Sequence, residues 1–273
     1  MRWGCKVALA AVLACFAMAP VMPGVSEAAS FTFSAAGKTA YDKMNAATEP
    51  TLRAKIVSQQ ESLVSLEAKG DRTDAATAAL HDRNELQLKA AKQRIKDIDA
   101  ADIARLDGQV KAAQAKYKPL FDGYTALNKR IEAARKLKNK DLNAALKLQA
   151  DIMKVTVQLA RDDIRAKQDK LKLAKSAAAA KSKRAKEPLA SIDGLKTRIQ
   201  AEKRAASSAK QAGRTLWSSF NASAKKNAPR DASATLASLL KIAGQINDAK
   251  QNQYALEQKI SEAIARALSL AEA

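Results

Sequence analysis

The sequence predicts an all-α protein of elongated, antiparallel helical hairpins packed through heptad seams, with no β-sheet. Three observations carry this. Alanine, lysine, leucine and glutamine dominate, while glycine and proline number only 9 and 6 in 273 residues, so the composition favours helix. Apolar residues recur in alternating steps of three and four over long stretches, the pattern of a narrow stripe on one helix face. Asparagine or glycine followed by aspartate recurs between those stretches. The first pair of residue types ends a helix in the left-handed conformation, and aspartate accepts the orphan N–H groups of the next.

Residues 1–28 come first. Met1–Lys6 is short and cationic, Val7–Ala19 is unbroken apolar, and Pro20, Pro23 and Gly24 then break any helix. Small residues at Ser26 and Ala28 complete the layout of a secretory signal cleaved after Ala28. An uncleaved anchor is the main rival. Val12-Leu13-Ala14-Cys15 also resembles a bacterial lipobox, although apolar residues continue past Cys15. Cys5 and Cys15 are the only two cysteines, so the exported remainder has no thiol or disulfide and must be held by packing.

Residues 29–49 form an N-terminal segment with a short helix near Ala35–Ala47. Residues 50–99 are read as hairpin 1, with its tip at Lys69-Gly70-Asp71-Arg72-Thr73-Asp74 and a first-arm stripe of Leu52, Ile56, Gln59, Leu63 and Leu66. Residues 100–187 are read as hairpin 2, with its tip at Lys138-Asn139-Lys140-Asp141. Its first arm carries the longest central seam: Leu106, Val110, Ala113, Tyr117, Leu120, Tyr124, Leu127, Ile131 and Ala134. Pro119 lies inside that seam and costs about 3 kcal/mol in a straight helix, so the chain either kinks there or loops over Lys118–Gly123, and the unbroken seam favours the kink. The second arm has a wider stripe, Leu142, Leu146 and Met153 on one edge and Leu148, Ile152, Val155 and Leu159 on the other, which calls for more than one neighbour. Residues 188–273 are read as hairpin 3. Pro188 suits its first turn, the tip is Asn227-Ala228-Pro229-Arg230-Asp231, and the last arm has a seam from Leu239 to Leu270 through Ile246, Gln253 and Ile260.

The formal net charge is +20, and it is regional. Residues 111–160 hold eleven Lys/Arg against four Asp/Glu, and residues 161–226 hold eighteen against six. The flanking stretches are balanced. A central basic block on an exported chain points to a polyanion-binding surface. The residues that best fit are Lys170, Lys172, Lys175, Lys181, Lys183, Arg184 and Lys186, with Arg184 able to grip phosphate in a bidentate way. Anionic wall polymer, acidic lipid or acidic polysaccharide is the expected partner. The signal argues against nucleic acid, and its form fits a secreted or envelope-associated bacterial protein. The bland alternative is a solvated face that keeps a long helix soluble.

Trp217 and Phe220, in Leu216-Trp217-Ser218-Ser219-Phe220, could anchor the chain to a membrane or partner, but their helical spacing reads more simply as a core contact. His81 is the only histidine, and its sequence neighbour Asp82 points to another helix face, so it reads as a surface residue. No metal-ligand spacing, phosphate loop or nucleophile motif is present, so no catalytic residue, cofactor or metal is expected. The sequence therefore predicts a non-enzymatic binding protein. An oligomeric spacer pairing copies through the heptad seams, or an extracytoplasmic chaperone or adaptor with helical arms, are the alternatives.

Overall fold

The computed structural model describes residues 31–272, so the signal reading, its cleavage at Ala28 and the Cys5 and Cys15 arguments lie outside the described residues. The described chain folds as six α-helices: α1 (Ala35–Ala47), α2 (Pro50–Lys96), α3 (Ala100–Lys136), α4 (Lys140–Lys186), α5 (Ile192–Lys225) and α6 (Pro229–Glu272). A single 3₁₀ turn, Pro188–Ser191, joins α4 to α5, and no strand occurs among the described residues.

The helix ends follow local chemistry. Ser34 accepts the Gly37 N–H at 3.1 Å to start α1, and the Glu49 carboxylate accepts the Thr51 and Leu52 N–H groups ahead of Pro50 to start α2. Asp99, Lys138 and Asn227 adopt left-handed φ values of 54°, 56° and 52° between successive helices; Lys138 and Asn227 reverse the chain so that α4 packs on α3 and α6 on α5, while Asp99 ends α2 ahead of α3. Asn139 Oδ1 then accepts the Leu142 N–H at 3.0 Å to start α4. The hairpin tips read at 138–141 and 227–231 therefore form where the sequence places them.

The tip read at 69–74 does not form. Helix α2 runs unbroken from Pro50 to Lys96, so residues 50–99 are one long helix rather than hairpin 1. Gly70 is helical, and its role is close approach: a Cβ there would lie 2.8 Å from Lys250 Nζ and 3.1 Å from Asn247 Oδ1 of α6. Asp71 and Asp74 do not cap a new helix but meet Lys250 at 3.8 and 2.8 Å. A loop over Lys118–Gly123 is likewise excluded, because α3 continues through Pro119.

Helix α6 is the axis of the body. Helices α2 and α5 both pack along it, while α3 packs along α4 as a two-helix arm whose packing on the body runs mainly through α4, with Ala185 buried against Ile95 and Ala267. The body has an apolar cluster at each end of α6. One gathers Met44, Ile56, Leu63, Phe220, Leu236 and Leu239; the other gathers Leu88, Ala91, Ile192, Ile260 and Ile264. Phe31 enters the first cluster over Gly213, where a Cβ would lie 2.6 Å from the ring, and its N–H donates to Glu67 Oε1 at 2.7 Å. Burial pushes the Glu67 carboxyl up in spite of that bond.

Helices α2 and α5 are also bridged directly by Lys196 Nζ and Glu85 Oε1 at 2.7 Å. That hydrogen bond holds the Glu85 carboxyl below its ordinary range. A carboxyl depressed on folding stabilises above its unfolded pKa of about 4.3, and the gain is lost as pH falls through the lower folded value. Both side chains are more than 40% exposed, which limits the gain to under about 1 kcal/mol. Urea unfolding at pH 7 should show Glu85→Gln slightly less stable than the parent, with the difference gone at a pH below the folded value.

Candidate polyanion-binding surface

The seven cations singled out by sequence all lie on the basal half of α4. They do not form one strip. Lys172, Lys175, Lys183 and Lys186 recur at helical spacing in one row, and Lys170, Lys181 and Arg184 in a second. The line Leu171, Ala178 and Ala185, buried against neighbouring helices, runs between the rows. The single basic face read from sequence is therefore split by the packing edge of its own helix.

Six of the seven are exposed, and none of these six has a carboxylate within ion-pair distance among the described residues. Lys181 differs: it is half-buried and reaches Asp99 in the α2–α3 turn at 3.7 Å. Asp107 of α3 is held below the ordinary carboxylate range first by its 2.7 Å hydrogen bond with Lys111, and only weakly by the more distant Lys175. Two other carboxylates on the arm are held by neighbours one helical turn away, in Lys118–Asp122 at 2.7 Å and Lys167–Asp163. Six of the seven cations in the two rows thus have no ion-pair partner among the described residues.

Comparison with protein-family models, with curated proteins and with solved structures finds no match.

Trp217 and Phe220 are not an exposed anchor. Phe220 is fully buried and Trp217 half-buried, stacked on each other at 5.1 Å between ring centroids. Phe33 lies 4.9 Å from Trp217, and Tyr41 lies 6.0 Å from Phe220. The pair is the hub that fixes α1 and residues 31–33 to the body. No described helix is long and apolar enough to cross one.

His81 is half-exposed, but it is not a lone surface residue. Its Nδ1 pairs with Glu257 Oε1 at 2.8 Å, and Asn84 Nδ2 donates to both the Glu257 backbone oxygen and Oε2 at 2.8 Å. Glu257, Gln253 and Lys250 are all buried on α6 between the two apolar clusters. They floor a cleft of about 630 Å³ between α2 and α5, where small residues such as Ala78, Ala206 and Ser207 leave room. Lys203, Lys210 and Arg214 line its α5 wall. Sequence reading missed this polar floor. The one signal was Gln253 inside an otherwise apolar seam. Both Glu257 carboxylate oxygens are engaged, so the group acts as an acceptor that fixes the register of α2 on α6. Among the described residues, no group of three or more His, Cys, Asp or Glu could hold a metal ion.

Proposed function

We propose that this chain is an exported, non-enzymatic protein that holds anionic envelope polymer along the basal half of α4. The observation that carries this is the two rows of cations, of which all but Lys181 are exposed and have no carboxylate partner among the described residues. A helix whose charge served solubility alone would intersperse acids with the lysines; residues 167–186 hold eight Lys/Arg and one acid, Asp169. Lysines along a row act as point charges that track phosphates or carboxylates, and Arg184 adds a planar fork. The four-lysine row extends about 21 Å, at 1.5 Å per residue, enough to engage several repeats of a charged polymer.

Three probes separate the possible sources of that anion: inorganic polyphosphate, polygalacturonate, and vesicles of phosphatidylglycerol. The chain is expected to bind at least one at low salt. Replacing all seven cations by glutamine should weaken that binding by about 100-fold or more, with helix content unchanged by circular dichroism. Lys181→Gln alone should have the smallest effect of the seven, because Asp99 already shares its charge. Equal binding by parent and seven-fold variant, or no binding to any probe, would overturn the proposal.

A further inference from the structure

Helix α4 carries two apolar seams, and only one is covered. Leu146, Ala150, Met153, Val157 and Ala160 are buried or half-buried on the side that meets α3. On the opposite side Leu148, Ile152, Val155 and Leu159 are 66%, 68%, 63% and 65% exposed. Their steps of four, three and four are the a/d spacing of a coiled-coil seam. A soluble surface scatters single aliphatic residues; four in heptad phase on one helix face mark an interaction site.

We infer that this row is where a second copy of the chain docks, antiparallel, arm against arm. Two features select the occupant and its direction. The first is local charge. Residues 141–166 hold four Lys/Arg and four Asp/Glu, so the row lies in an electroneutral window of the basic block. A copy of equal net charge can approach there without the repulsion it would meet along residues 167–186. The second is register. Antiparallel pairing sets Leu148 against Leu159 of the second copy and Ile152 against its Val155, matching a to d positions. It also sets Asp162, which continues the row, against Ala145 of the second copy. Parallel pairing would instead bring Asp162 against Asp162 and lay the two basic stretches side by side.

The antiparallel register has a further consequence. The tip of each arm, near Lys138 and Lys140, reaches only as far as the start of the other copy's basic stretch. Lys172–Lys186 then project beyond the partner's tip and stay open. The inference stands on the apolar row and its flanking charges, and does not depend on what the basic rows bind.

Sedimentation velocity across a concentration series tests the association. The parent chain is expected to form dimers, and a variant with Leu148, Ile152, Val155 and Leu159 all replaced by glutamine is expected to sediment as a monomer with parental helix content. These residues face away from α3, so the replacement leaves the arm folded. Direction is tested by oxidation of Leu148→Cys and Leu159→Cys chains in which Cys5 and Cys15 are serine. The mixture should cross-link, and neither variant alone should do so efficiently. A monomeric parent at every concentration, including one that binds an apolar dye through the open row, would overturn the inference. So would a dimer that survives the four-fold replacement, or efficient cross-linking of each single variant alone, which would make the pairing parallel.

Discussion

Phe220→Ala should destabilise the protein by about 3–5 kcal/mol, the largest loss expected from a single side chain in this fold. Phe220 has no exposed surface and contacts Phe33, Tyr41 and Trp217, with ring centroids 5.9, 6.0 and 5.1 Å away. Removing the ring deletes its transfer energy, leaves a cavity the two long helices cannot close, and frees the aromatic side chains that fix α1. Trp217 is the one tryptophan among the described residues, so its fluorescence reports the same site during denaturant unfolding. A comparison is Leu270→Ala at the far end of α6, where 38% of the residue is exposed and the cost should stay near 1 kcal/mol. A loss at Phe220 no larger than at Leu270 would mean that the aromatic hub does not form.

Asn84→Ala should cost about 2–4 kcal/mol, the second largest effect. Asn84 is 1% exposed and its amide makes two 2.8 Å hydrogen bonds to Glu257, which is itself 3% exposed. Removing the amide leaves one oxygen of a buried carboxylate without a donor, and that unmet cost exceeds the value of the bonds themselves. The converse follows from the same physics. Replacing both partners together, Asn84→Leu with Glu257→Leu, removes the buried charge along with its donor and should recover much of the single loss. A double-mutant cycle by urea unfolding measures the coupling directly. Additive losses would show that the two side chains do not depend on each other.

These residues also show what was legible in the sequence. The caps and reversals near Asn139 and Asn227 are local events, so residue type and order suffice to place them. The seams on α3 and α6 were legible for the same reason: burial follows their periodicity from Leu106 to Ala134 and from Leu239 to Ala267. Gly70 was misread because a helix-ending glycine and a glycine that admits a crossing side chain look alike until Lys250, far along the chain, is seen beside it. The pairing of His81 and Asn84 with Glu257 was hidden likewise. Each looks like an ordinary polar surface residue within its own helix, and only the register of α2 on α6 brings them together and buries Asn84 and Glu257. The two edges of α4 between Leu142 and Leu159 were visible as a wide stripe that calls for more than one neighbour, but the sequence does not say which edge packs within the chain. The structure covers one edge and leaves the other open.

For the basic surface, heptad phase decides which lysines share a row, and that depended on knowing which edge of α4 is buried. Composition located the charge; the packing of Leu171, Ala178 and Ala185 divided it.

The central claim is that those rows hold a polyanion, and its most direct test is the salt dependence of polyphosphate binding by the parent chain and by the variant with all seven cations replaced by glutamine. Six unpaired cations engaging a flexible phosphate chain predict a slope of log K against log salt steeper by about 4 in the parent than in the variant, at roughly 0.7 per contact. Equal slopes in the two proteins would show that the charge on α4 takes no part in binding and would contradict the account.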